Sequence, residues 1–188
     1  MKKMLLINGS PRKKGSCAAL LSIICEMGEG SGYECELTDL SDLKIGHCRG
    51  CMSCKKTGKC AFDDDMTPLY GKIQDADVLV LSTPVYFAAE TGLMKNFIDR
   101  WYALMDYGPK GKHSFRFGKE KKGIVAITCG APDGNMVYHG LAARLTMTLK
   151  SCGVSDISSV IIPQASPDTV GRSPFMDDFL DAVNAQLS

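Results

Sequence analysis

No stretch of this chain comes near the ~18 consecutive apolar residues that a membrane-spanning helix needs. The apolar run behind Lys2 and Lys3 stops at Ile7. A secretory leader needs a longer apolar segment and a cleavage site, so neither export nor a membrane partner is expected. Charge of one sign is lacking too. With 22 Lys and Arg against 21 Asp and Glu, the net charge of +1 argues against a nucleic-acid or membrane-surface binder. Internal repeats, low-complexity tracts and interdomain linkers are absent, so residues 1–188 read as one domain. That length buries a sizeable core without disulfide staples. Histidine is scarce: His47, His113 and His139 show no ligand spacing among themselves. No paired general acid and base stands out either.

Strand and helix patterns are there in alternation. The run 3–8 stops at Gly9, and Leu20, Ile23, Ile24 and Met27 then recur at helical spacing. Residues 33–40 alternate weakly like a half-buried strand. Residues 76–86 and 123–130 are continuous β-branched and Leu runs, the mark of strands buried on both faces. Between them Gly92 opens a helix whose apolar face runs over 93–105, and 106–119 reads as an excursion or short hairpin. Asp65 is a candidate cap for a helix with Pro68 in its first turn. A helix at 136–152, a strand from Val154 and a terminal helix begun by Ser173 and Pro174 complete the pattern. Alternating strands and helices predict a parallel sheet covered on both faces. Five strands in this length fit the flavodoxin-like three-layer sandwich, sheet order 2-1-3-4-5.

In that order the ligand sits where the sheet reverses, outside the carboxyl ends of strands 1 and 3. The first of those loops reads NGSPRKKGSCA. Gly15 permits a tight turn, and the N–H groups of the helix start at Ser16, Cys17 and Ala18 face it. Ser10 and Ser16 add hydroxyls, and Arg12 adds charge. Together these form a phosphate cradle, neither a Walker loop nor G-x-G-x-x-G; a plain surface turn with solvated lysines is the alternative. The loop after strand 3 carries Pro84, Val85, Tyr86 and Phe87, a flat apolar wall, although either aromatic alone would be ordinary core. The loop after strand 4, from Cys129 and Gly130 to residue 135, lies near the same edge. One phosphate and one planar ring describe FMN.

Cysteine is the other conspicuous presence, nine residues in all. Cys48, Cys51, Cys54 and Cys60 fall within a Gly- and Lys-rich loop, 46–62, inserted after strand 2. Three thiols at two-residue spacing with a fourth nearby match the iron–sulfur pattern better than the two separated knuckles of structural zinc. Free thiols or a reactive disulfide remain open, and Lys55, Lys56 and Lys59 would favour thiolates in either case. Cys25, Cys35 and Cys152 read as small buried hydrophobes. Asp63, Asp64 and Asp65 diverge too much to share an ion, and read as a helix cap and a solvated face.

Taken together, NGSPRKKGS, the DDM after the cysteines, STPVYF and GLMKNFIDRW resemble the flavodoxin-like NADPH-dependent FMN reductase family. With the compact cysteine motif, the chain is similar to its iron–sulfur flavoprotein subgroup. One departure is Ser16-Cys17, where the family often has Asn-Thr. The resemblance implies FMN, a [4Fe–4S] cluster held by the four loop cysteines, and a homodimer or homotetramer. It also implies electron transfer, with ferredoxin or a small molecule as partner. NAD(P)H is the alternative donor, in a cluster-free flavin or quinone reductase, and the basic run 110–122 could attract its phosphate. A non-catalytic thiol redox sensor is a reading of another class. Absence of a leader and clustered thiols together point to the cytoplasm.

Overall fold

The computed structural model describes residues 1–107, 113–117, 119–132 and 136–187. Strands β1 (Lys2–Asn8), β2 (Tyr33–Asp39) and β3 (Val78–Pro84) join β6 (Lys121–Thr128) and β7 (Val154–Ile162) in a five-stranded sheet. Its order is β2-β1-β3-β6-β7, with every neighbour parallel. Counted within the sheet this is 2-1-3-4-5, as the pattern requires. The three central strands are buried nearly end to end, whereas β2 and β7 at the edges mix buried and exposed positions.

Strand alternation sends successive side chains into two separate cores. Leu5, Ile7, Leu79, Leu81, Val125 and Ile127 meet α3 (Met66–Asp75), α4 (Gly92–Arg100) and α5 (Met136–Ser151). Met4, Leu6, Val78, Val80, Ile124 and Ala126 meet α1 (Ser16–Gly30) and α6 (Met176–Leu187) on the other face. Both helical layers are therefore in place.

Segment 93–105 differs from its expected single helix. It is α-helical only to Arg100, tightens to a 3-10 turn over Trp101–Leu104, and then enters the hairpin β4 (Met105–Tyr107) and β5 (His113–Phe115). Met94, Phe97, Trp101 and Leu104 are all buried within the chain, Phe97 and Trp101 edge to face at 5.4 Å. The cysteine loop also holds one unexpected element, the five-residue helix α2 (Ser53–Thr57), with Met52 and Gly58 in left-handed backbone at its two ends.

Candidate functional site

Where β1 ends, the chain turns on Gly9. Its N–H donates to the Ser82 carbonyl at 2.8 Å, and a Cβ there would lie 2.7 Å from the Met94 methyl. Asn8 fixes the next step by accepting from the Ser10 N–H at 3.0 Å while its own amide donates to Asp39 at 2.6 Å. Ser10 Oγ accepts from the Arg12 N–H at 3.1 Å, and the Gly15 N–H closes the turn on the Arg12 carbonyl. Gly15 is the N-cap of α1 and brings no side chain to it, so the first-turn N–H groups are left to a ligand or water. A Cβ on Gly15 would press within 3.1 Å of that same carbonyl. The cradle fits an anionic oxygen set against bare backbone.

One pocket, about 270 Å³, opens here. The first loop contributes Ser10, Arg12, Gly15, Ser16 and Cys17, the second Pro84, Val85 and Tyr86, and the third Cys129 and Gly130. Residues 133–135 of the third loop lie outside the described residues. Burial pushes the Cys17 thiol up, against its hydrogen bonds with Thr128 and Ser82, so it is a neutral thiol at neutral pH. Two expected residues are not among the pocket's walls. Ala18 lies one helical step past Cys17, which turns its methyl aside. Phe87 stands at the tip of a two-residue turn between Tyr86 and Ala89, with Phe87 and Ala88 both at positive φ. The turn throws the Phe87 ring fully into solvent, at 108% exposure. Sequence reading also missed the fourth wall, Ala165, Ser166 and Pro167 behind β7, together with Thr128. A Pro-Gln-Ala-Ser-Pro turn at the same carboxyl edge of the sheet was the available signal.

The four loop cysteines line a second pocket, with Phe62, Arg100 and Tyr102 among its other walls. All four are free thiols; Cys54 on α2 is buried and Cys48 and Cys51 are exposed. Among the described residues no three metal-ligating side chains are gathered closely enough to form a metal group. The donor set nevertheless has the chemistry an iron–sulfur group takes, since all four thiols line one cavity. Lys55 acts on the nearest thiol in the expected direction but is outweighed. Burial pushes the Cys54 thiol up and Lys55 only partly offsets it. The Lys55 ammonium instead donates to the Tyr102 and Met105 carbonyls and sits 3.8 Å from the centre of the Tyr102 ring.

The basic run 110–122 is likewise dispersed. Arg116 pairs with Asp106 and donates to the Gly58 carbonyl, Lys119 pairs with Asp77, and Lys121 is buried. Lys110 and Lys112 lie outside the described residues. Of the three aspartates, Asp65 accepts from the Lys44 N–H rather than capping α3. Asp64 accepts from Met66 at the helix start and grips the buried Arg100. Burial would raise the Asp64 carboxyl, but Arg100 and the N–H groups of Gly46 and Met66 outweigh it and hold it below its ordinary range. Cys152 is a buried hydrophobe as expected; Cys25 and Cys35 are only partly buried, with the Cys35 thiol 3.5 Å from the Cys25 carbonyl.

The sequence pattern of NADPH-dependent FMN reductases matches residues 2–161. The chain belongs to that family. Its members are flavin-dependent oxidoreductases, and FMN is the cofactor their description names. An "Iron-sulfur flavoprotein" of Archaeoglobus fulgidus is 31% identical over 169 residues, 90% of this chain and 72% of the relative. A second protein of that description from the same organism is 44% identical over 98 residues, 52% of this chain and 48% of the relative. This FMN reductase family member thus spans about half the length of some relatives it matches. Among solved structures, an NAD(P)H:quinone oxidoreductase from Methanothermobacter marburgensis superposes with a TM-score of 0.74. That alignment covers 100% of this chain and 98% of the other at 18% identity, a likeness of fold.

Proposed function

We propose that this protein is an electron-transfer flavoprotein in which Cys48, Cys51, Cys54 and Cys60 hold a [4Fe–4S] cluster and the first pocket holds FMN. The observation that carries the reading is the common pocket of the four thiols, in a chain whose family binds flavin. The relatives described as iron–sulfur flavoproteins agree with it. Cluster and flavin would supply the redox chemistry, and the chain's own part is to bind and orient them. Ser10, Ser16 and the open turn of α1 would take the phosphate, with Arg12 adding charge. Pro84, Val85, Tyr86, Cys129 and Gly130 would border the ring. No helix among the described residues is long and apolar enough to cross a membrane; a cytoplasmic place is part of the proposal. Ferredoxin or a small molecule would exchange electrons with a homodimer or homotetramer.

The test is iron, acid-labile sulfide and FMN per chain on protein purified without oxygen. About four iron and four sulfide per chain are expected. FMN with negligible iron, even after supply of iron and sulfide, would overturn the cluster. The second reading, a cluster-free NAD(P)H-dependent reductase, rests on the absence of a gathered three-ligand group among the described residues. It expects flavin reduction by NADH or NADPH at a rate unaffected by Cys54→Ser.

A further inference from the structure

Two short motifs flank the cysteine pocket, Asp63-Asp64-Asp65-Met66 behind the loop and Asp99-Arg100-Trp101 at the end of α4. The structure joins them. Arg100 is 2% exposed and lines the same pocket as the four cysteines. One terminal nitrogen, Nη1, donates to Asp64 Oδ2 at 2.5 Å and to the Gly46 carbonyl at 3.0 Å. The other, Nη2, donates to Asp64 Oδ1 at 3.0 Å and to the Phe62 carbonyl at 3.4 Å. The Tyr70 hydroxyl donates to the Arg100 carbonyl at 3.1 Å and lies beside both the Arg100 side chain and Cys60.

A guanidinium carries five N–H bonds, and those four contacts leave the one on Nε. Nε is buried and makes no hydrogen bond of good geometry among the described residues, although the Tyr70 hydroxyl lies near the guanidinium. A buried cationic donor left unpaired is costly, and native proteins rarely keep one without a use. Neutral thiols are weak acceptors, whereas thiolate and sulfide carry the negative charge such a donor seeks. We propose that Arg100 Nε–H is the hydrogen bond this chain offers to a sulfur of the group held by Cys48, Cys51, Cys54 and Cys60, with Asp64 fixing its aim. Arg100 is thus a positioning and tuning residue, and the assignment rests on the cluster reading above. Only arginine serves: lysine keeps the charge but cannot fill the Asp64 fork while presenting a further N–H.

A hydrogen bond to cluster sulfur favours the reduced, more negative form and raises the potential. The test compares anaerobically reconstituted wild type with Arg100→Lys. Iron, sulfide and FMN are counted first, and the cluster's one-electron midpoint is then followed by electron paramagnetic resonance. The expected result is unchanged FMN and a cluster at least tenfold harder to reduce, about 59 mV lower for one electron. A merely structural arginine would lower cluster content or melting temperature while filled molecules titrate at the wild-type midpoint, and that result overturns the proposal. A second measurement needs no variant. In wild type labelled with heavy nitrogen in arginine, the reduced cluster should show hyperfine coupling to an arginine nitrogen; its absence in loaded protein overturns the assignment. Wild type that binds FMN but takes up no iron sinks the cluster reading itself, a failure seen before any midpoint is measured.

Discussion

Phe87 and Ala88 hold φ values of 49° and 67°, a region that side chains with a Cβ avoid. Two such residues in succession make the tight turn that hydrogen-bonds Tyr86 to Ala89 in both directions, at 2.8 and 3.0 Å. Glycine adopts that backbone without the Cβ clash, which costs about 1–2 kcal/mol. Ala88→Gly should therefore stabilise the protein by about 1 kcal/mol, raising its melting temperature by roughly 2–4 °C; a lower one would mean that the turn is not strained. Nothing in the sequence announces this turn, because Phe-Ala-Ala carries none of the Gly, Asn or Asp that mark left-handed positions. The aspartates show the same limit. Their capping role is legible from the helix that follows, but which of Asp64 and Asp65 turns inward depends on Arg100, 36 residues on from Asp64.

Elements were legible where periodicity was strong. The central strands needed only their unbroken apolar runs, and each appears within a few residues of its expected place. Helix α2 was not legible, since five residues carry no period and its tethers are long-range, Lys55 reaching the Tyr102 carbonyl and Arg116 reaching the Gly58 carbonyl. Lys121 shows what tertiary placement does to a residue of the basic run 110–122. It is 1% exposed at the start of β6, and its ammonium donates to the Gln74 and Ala76 carbonyls at the end of α3. Burial pushes it down to about 8 from an ordinary 10.5. Between those values the unfolded chain keeps a proton that the folded chain has lost, so stability rises with pH there. Urea unfolding followed from below pH 8 to above pH 10.5 should show this rise, and Lys121→Met should remove it. An identical pH slope in the variant would show that Lys121 is not depressed.

Across the whole molecule, the sheet order and three loops at its carboxyl edge follow from alternation and the switch-point rule. The fourth loop and the Arg100 clasp do not, because each depends on residues brought together from distant parts of the chain. Helix α4 connects the two pockets. Thr91 at its start donates to the Gly9 carbonyl at 2.6 Å and accepts from Met94 at 3.1 Å, and Arg100 at its end holds the cysteine loop. Nine helical residues span roughly 13 Å, so the anchors are separate even though one rigid element carries both. Asp64→Asn isolates the far anchor. It leaves a buried guanidinium without its counter-charge, a loss of about 3 kcal/mol at neutral pH. The wild-type carboxyl titrates below its ordinary 3.8, so its stabilisation is present above that value and fades as pH falls through the lower folded value. The gap between wild type and variant should accordingly narrow in acid. FMN affinity, measured by quenching of flavin fluorescence, should stay within about twofold of wild type, since Thr91 and the Gly9 turn are untouched. If affinity falls together with stability, α4 transmits the state of the cysteine loop to the flavin pocket, and the two sites form one mechanical unit.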